Sequence, residues 1–301
     1  MKRVVITGAS GFVGAPVTRA LLSSGWEVHA LSSDPPRARP PGVRWHHVDL
    51  LGPTPITPVL AEIAPSHLVH LAWDVTPRRY CDSVDNVAWA AASLQLVHAF
   101  ATVGGRRVVA AGTCAEYAWI GGACVEDETP IAPRSPYAIA KDAVRRVITS
   151  LGERGALSVC WARLFFLYGP GERPGRLVSG LASSLLAGRR FPCSDGSHAR
   201  DYLHVDDAAR SLAGLLECET SGAVNVASGH ATLVKTIVEE VAAAIGRPDL
   251  VGWGERPSPE SEPPVSFGDT RRLRAALGEV PDRPLPAGIL DTVKWWRALR
   301  A

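Results

Sequence analysis

The stretch Val4-Val5-Ile6-Thr7-Gly8-Ala9-Ser10-Gly11-Phe12-Val13-Gly14 decides the fold. Residues 4–7 are a short β-branched run ended by glycine, the pattern of a buried strand. Residues 16–22 follow in helical register, and Gly25 ends that helix. Three glycines, each three residues after the last, fill the junction. Glycine there permits a tight turn and lets a pyrophosphate approach backbone N–H groups at a helix N-terminus. The loop therefore points to a dinucleotide site, with Gly8, Ser10, Gly11, Phe12, Val13 and Gly14 as candidate contacts.

Outward from this loop, residues 27–31 read as a second strand, and residues 32–41 as a Pro/Arg-rich loop. Residues 68–72 and 107–111 are further apolar strands, separated by a helical stretch over 84–100. Residues 138–151 are helical and 157–166 strand-like. This alternation predicts an α/β fold, a Rossmann-type doubly wound parallel sheet with helices on both faces. After Gly169-Pro170-Gly171 the texture changes. Residues 177–186 and 233–245 read as helices, 200–205 as a strand, 256–264 as an exposed loop and 292–299 as a closing helix. The expected organisation is a dinucleotide-binding domain over 1–165, with returns near 200–230, and a smaller mixed substrate-binding cap over 166–301.

The 301 residues are 46% hydrophobic, enough to bury a full core, and a net charge of +2 leaves no basic footprint for nucleic acid or a membrane surface. Any anionic substrate must be held by local arginines. The apolar stretch before Thr7 is too short for a signal-peptide core, and no apolar run approaches the length of a membrane span. Cys81, Cys114, Cys124, Cys160, Cys193 and Cys218 form no C-x-x-C pair and have no histidine at zinc spacing. They read as reduced thiols of a cytoplasmic protein, with no metal site.

Tyr137-Ala138-Ile139-Ala140-Lys141 places a phenol and an ammonium on one helical face. A lysine beside a phenol favours phenolate and is expected to lower its pKa, so that Tyr137 exchanges a proton with a substrate oxygen while hydride moves at carbon. Thr113, two residues after the apolar run 107–111, ends that segment in a hydroxyl.

The G-x-x-G-x-x-G spacing, the Y-x-x-x-K pair and Thr113 four residues before Tyr117 together resemble the extended short-chain dehydrogenase/reductase family. The likeness extends over nearly the whole chain, through Arg163-Leu164-Phe165-Phe166-Leu167-Tyr168-Gly169-Pro170, Arg200-Asp201-Tyr202-Leu203-His204-Val205-Asp206-Asp207 and Asn225-Val226-Ala227-Ser228-Gly229. The resemblance implies catalytic roles for Thr113, Tyr137 and Lys141, and cofactor contacts at Asp49, Leu50, Leu71 and Ala72. His70 reads as a satisfied core histidine. Where an NAD enzyme places an acid after the second strand, this chain has Ser32 and Ser33, with Arg37 and Arg39 behind them. That set suits the 2′-phosphate of NADP better than a free ribose, with NAD as the alternative because Asp34 is close.

The resemblance also implies a nucleotide-diphosphate sugar as substrate, with Arg200 and Arg256 as a diphosphate clamp. It places Cys114 and Phe166 at the sugar as well, with Phe166 where the family usually has an asparagine. Arg78 and Arg79 are expected to face solvent. Sugar 4,6-dehydratases carry Thr-Asp-Glu where this chain has Thr113-Cys114-Ala115. Glu116, one residue later, points away if the backbone is extended there, so dehydration is disfavoured. The expected activity is NADPH-dependent reduction of a nucleotide-linked 4-keto-6-deoxy sugar. An NAD-dependent 4-epimerase and a non-catalytic dinucleotide sensor are the alternatives. The family often pairs through helices here at 84–100 and 138–151, so a homodimer is expected.

Overall fold

Val4, Val5, Ile6, Val28, Ala30, Leu68, Val69, Val108 and Val109 are all fully buried, the two-sided burial of a parallel sheet covered on both faces. The computed structural model describes residues 2–35, 40–155, 157–258 and 262–300. Its central sheet runs, from one edge, Gly222–Val226, Ser158–Leu164, Arg107–Thr113, His67–His70, Arg3–Thr7, Glu27–Ser32, Val43–His47. Every neighbouring pair is parallel. The strand order reverses between Arg3–Thr7 and His67–His70, where Thr7 lies opposite His70. A crevice forms at the carboxyl ends of strands at such a switch point. This is the Rossmann-type fold.

Helices Gly14–Ser23 and Val205–Glu217 cover one face through Val17, Leu21, Leu212 and Leu215. Helices Ile56–Ile63, Asp85–Thr102 and Pro136–Glu153 cover the other through Leu60, Leu96, Phe100 and Val144. A further core joins helices Leu177–Leu186, Val234–Ile245 and Leu285–Ala298. Beside it stands a mixed sheet of Thr232–Leu233, Ala199–Arg200, Val265–Gly268 and Gly122–Cys124.

Residues 200–205 are not one strand. Ala199–Arg200 belongs to the mixed sheet, Tyr202–His204 pairs with Phe166–Tyr168, and Val205 opens a helix. The break falls at Asp201, whose buried carboxylate accepts from Ser228 N and Oγ (both 2.7 Å), Gly229 N (3.0 Å) and Gly268 N (3.1 Å). Those four bonds fix the backbone between two pairing partners. Likewise the run 68–72 ends as a strand at His70, because the Leu71 and Ala72 N–H groups turn to the Thr7 hydroxyl, each at 3.2 Å. The closing helix starts earlier than the sequence suggests, at Leu285, with a proline tolerated in its first turn.

Candidate active site

Gly8 has a φ of +72°, and a Cβ there would meet Ala72 N at 2.9 Å. A Cβ on Gly14 would lie 1.9 Å from the Gly8 carbonyl oxygen, so the first helix starts tucked against the loop. Gly11 N donates to Gly8 O (2.9 Å), closing the turn. Phe12 faces the turn at Gly171, 3.9 Å from where a Cβ would stand. A cradle kept open by absent side chains at a helix N-terminus fits the pyrophosphate of a dinucleotide. Leu71 and Ala72 close its far side. Gly14→Ala is therefore expected to abolish dinucleotide binding and lower the melting temperature. Titration of the variant with NADPH and NAD, followed by fluorescence, checks this, and wild-type affinity would contradict the packing argument.

Ser32 ends its strand half-buried, with its Oγ accepting from Asp34 N at 3.2 Å. Ser33 and Asp34 are exposed. Arg37 and Arg39 lie outside the described residues. Asp49 is exposed, its Oδ1 accepting from Leu51 N (3.0 Å), while Leu50 packs against the core below.

Helix Pro136–Glu153 begins where Ser135 Oγ accepts from Ala138 N and Pro136 takes the first helical position. This start places Tyr137 and Lys141 one turn apart, both buried. Lys141 Nζ donates to Ala111 O (2.8 Å) and lies 4.0 Å from the centre of the Trp73 ring. The Tyr137 ring meets Tyr80 edge-on at 4.8 Å. Thr113 ends the strand Arg107–Thr113, with its hydroxyl near enough to the Tyr137 phenol to oppose the rise of its pKa. The structure thus brings Thr113, Tyr137 and Lys141 together.

Burial pushes the Tyr137 phenol above its ordinary value, with Tyr80 adding and the Thr113 hydroxyl opposing. Burial lowers Lys141 to about 7, against the pull of Glu116. The expected lysine-lowered phenol is therefore not the state of the protein without cofactor. Lys141 is itself desolvated, and its proton is turned to a carbonyl. Below about pH 7 this lysine is charged in both folded and unfolded chains, and its desolvation cost is fully present. From about 7 up to the ordinary lysine value of 10.5 only the unfolded chain holds the proton, so this group's contribution makes stability rise with pH. Urea unfolding across that range should show a slope that Lys141→Met removes; an unchanged slope would refute the assignment.

His70 has both ring nitrogens engaged, Nδ1 with Thr7 Oγ1 (2.7 Å) and Nε2 with Ser93 Oγ (2.8 Å), and burial lowers its pKa to about 3. It is a satisfied core residue. Residues Cys114–Glu116 form a 3-10 turn, so the extended backbone assumed for Glu116 is not found. Thr113 and Glu116 cap each other reciprocally. The fully buried Glu116 carboxylate accepts from Thr113 N (2.9 Å), Trp161 Nε1 (2.9 Å) and Arg163 Nε (2.8 Å). Those three donors commit it to structure. Cys114 is buried against Phe165 and Ala227, and burial raises its thiol pKa.

A cavity of about 530 Å³ opens between the Trp73–Tyr80 loop, the start of helix Leu177–Leu186 and residues 190–194, with Arg78, Arg176, Arg190, Phe191 and Arg256 in its wall. Arg256 stands over the Phe191 ring, 5.8 Å from its centre. The expectation for Arg78 and Arg79 divides. Arg79 pairs with Asp85 at the surface (2.9 Å), while Arg78 lines the cavity from a left-handed backbone with φ +67°. Arg200 and Phe166 stand outside the lining among the described residues. Arg200 is 4% exposed and ion-paired with Glu262 at 2.7 Å. Phe166 packs between Trp119 (6.2 Å) and Tyr202 (5.7 Å). Sequence reasoning missed Arg176, Arg190 and Phe191; the cluster Gly169 to Arg176 was the available signal. Among the described residues no three metal-ligating side chains converge.

A doubly wound sheet with a glycine cradle at its switch point and a Thr–Tyr–Lys group at a nearby strand end defines an extended short-chain dehydrogenase/reductase. Residues 4–227 match the model of the NAD dependent epimerase/dehydratase family, and the chain belongs to that family. It is 28% identical to a UDP-glucose 4-epimerase of Mycolicibacterium smegmatis, over 98% of each chain. It is 26% identical to a dTDP-6-deoxy-L-talose 4-dehydrogenase (NAD+) of Aggregatibacter actinomycetemcomitans, over 80% of this chain and 89% of that one. The solved structure of MoeE5 with UDP-glucuronic acid and NAD superposes with a TM-score of 0.85 at 29% identity, covering 99% of both chains.

Proposed function

We propose that this protein reduces the keto group of a nucleotide-linked 4-keto-6-deoxy sugar with NADPH. The observation that carries the reading is the convergence of Thr113, Tyr137 and Lys141 with, among the described residues, no free acid–base pair beside them, since Glu116 is consumed by three buried donors. A bound dihydronicotinamide supplies the hydride to the carbonyl carbon. Thr113 holds the carbonyl oxygen, and Tyr137 gives it a proton. A phenol kept neutral by burial is the form a proton donor needs. Lys141, anchored on Ala111 O, orients Tyr137 and returns positive charge to the site as the phenolate forms.

Ser32 in place of an acid supports NADP, with Gly8, Ser10, Gly11, Phe12, Val13 and Gly14 receiving the pyrophosphate. The similarity to the talose dehydrogenase supports chemistry at carbon 4 of a nucleotide sugar. The similarity to the UDP-glucose 4-epimerase favours a second reading, NAD-dependent 4-epimerisation by the same residues.

A screen of NADPH and NADH against TDP-, GDP-, CDP- and UDP-linked 4-keto sugars separates the two. A reductase consumes NADPH stoichiometrically. An epimerase copurifies with NAD and turns over with no net change in reduced-cofactor absorbance. A non-sugar ketone that outperforms all of them would overturn the substrate assignment. A homodimer is part of the proposal: Val84 and Val87, at the start of helix Asp85–Thr102, are 84% and 76% exposed, and Ile139 and Val147 are exposed on the helix packed against it. Light scattering should show a dimer, and Val87→Arg should dissociate it. A wild-type monomer would refute this.

A further inference from the structure

Lys141 is 3% exposed, and among the described residues no carboxylate pairs with its ammonium. Buried charges are normally paired, because taking an ion out of water is costly. The strand Arg107–Thr113 offers the Ala111 carbonyl, which accepts from Nζ at 2.8 Å. The turn Cys114–Glu116 brings Glu116 within electrostatic reach, but Arg163 at 2.8 Å and Arg145 at 3.8 Å hold that carboxylate. The strand His67–His70 ends in His70, which burial keeps neutral. Lys141's own helix supplies Tyr137 one turn back, a phenol that burial also keeps neutral. The remaining neighbour is an aromatic face, the Trp73 ring, whose centre lies 4.0 Å from Nζ.

An ammonium within about 6 Å of a ring centre is drawn to the negative face of the ring, most strongly for indole and more so when desolvated. Trp73 is itself pinned. It follows Leu71 and Ala72, whose N–H groups are turned to the Thr7 hydroxyl. Its Nε1 donates to Asn86 Oδ1 at 2.8 Å, and Asn86 Nδ2 donates to Tyr80 O (2.7 Å) and Ser83 O (2.8 Å). The Trp89 ring lies nearly parallel at 6.1 Å, and the Tyr137 ring meets Trp73 edge-on at 6.1 Å. The indole thus adjoins both members of the Tyr–Lys pair, from a position that its own contacts fix.

We propose that Trp73 is a positioning residue for the proton transfer: its indole face seats the Lys141 ammonium beside Tyr137. A carboxylate in that place would hold the ammonium but cancel its field at the phenol. A ring face holds the cation and leaves the positive charge intact. It also spares donors, since Nζ has three and the Ala111 carbonyl takes one. Burial drives Lys141 towards its neutral form. The ring opposes this, because its attraction is for the charged form. The alkaline limit of turnover is then set by Trp73 as well as by burial. This inference rests on the reading of Lys141 as the charge that serves Tyr137.

The chain has four lysines, Lys2, Lys141, Lys235 and Lys294. NMR of the full chain labelled at the lysine ε-carbon therefore follows Lys141 directly, its signal assigned by its loss in Lys141→Arg. Trp73→Leu is expected to lower the Lys141 titration midpoint by about one pH unit, and Trp73→Phe by a smaller step. Fluorinated tryptophan at position 73 alone drains the ring face while keeping its shape. It should lower the midpoint stepwise with fluorine number, and it decides the question if Trp73→Leu fails to fold. An unmoved midpoint in the leucine or the fluorinated protein would overturn the inference and leave Trp73 as packing alone. With NADPH and a keto sugar that the wild type reduces, the alkaline limb of kcat should move down with the midpoint. A limb that stays in place while the midpoint moves would overturn the role in proton transfer. A wild type that reduces no keto sugar defeats the nucleotide-sugar reading, and the lysine midpoint still decides whether Trp73 seats the ammonium.

Discussion

Tyr137→Phe is expected to lower turnover by about 10²- to 10⁴-fold, the range general acid catalysis commonly supplies, while dinucleotide affinity stays close to wild type. The substitution removes one oxygen and keeps the ring, which meets Tyr80 at 4.8 Å and Trp73 at 6.1 Å. The packing that orders the first turn of the helix is therefore retained. What disappears is the proton donor itself, the hydroxyl beside Thr113. Steady-state rates and NADPH titration on the same preparation check the two halves separately. Activity above a tenth of wild type would show that another group protonates the substrate oxygen, and Thr113 would then be the first to examine.

The largest expected loss of stability lies one layer below. Arg163 and Glu116 are 1% and 0% exposed and meet at 2.8 Å. Arg163 Nη1 also donates to Tyr117 Oη at 2.9 Å, and the guanidinium stands 4.4 Å from the centre of that ring. Tyr117 in turn donates to Asn225 Oδ1 at 2.8 Å, tying the turn after Thr113 to the edge strand Gly222–Val226. Arg163→Met leaves a buried carboxylate without its cation and is expected to cost about 3–5 kcal/mol in urea unfolding. Adding Glu116→Gln to that variant should recover part of the loss, since the stranded charge is gone. A single variant within about 1 kcal/mol of wild type would mean the pair is incidental to the fold. The effect reaches the site as well, because Glu116 holds the Thr113 N–H.

The glycine loop, the first two strands and the Tyr–Lys pair were legible because each depends on local chemistry: left-handed backbone at Gly8, two-sided burial at Val4–Ile6, helical spacing at Tyr137 and Lys141. The edge strand Val43–His47 was not, since Arg44, His46 and His47 carry polar side chains at a position open to solvent. The helix Val205–Glu217 was hidden by its entry. His204 caps it through Nδ1 accepting from Asp206 N, so a strand-like run passes into a helix without glycine or proline to mark the change. Arg78 and Arg79 show the limit at the site. Two adjacent arginines in one loop are equivalent in sequence, and only the backbone turn at Arg78 sends one to the cavity and the other to Asp85. Glu116 misled for a similar reason, because the 3-10 turn that redirects it is held by partners forty-five and forty-seven residues away.

Asp201 also decides where the chain cannot bend. Its carboxylate takes four bonds from residues 228, 229 and 268, so the chain at this crossing is pinned from two sides. A pivot needs a backbone free to rotate, and this one is not. The joint between the mixed sheet at Ala199–Arg200 and the strand Tyr202–His204 is therefore fixed rather than hinged.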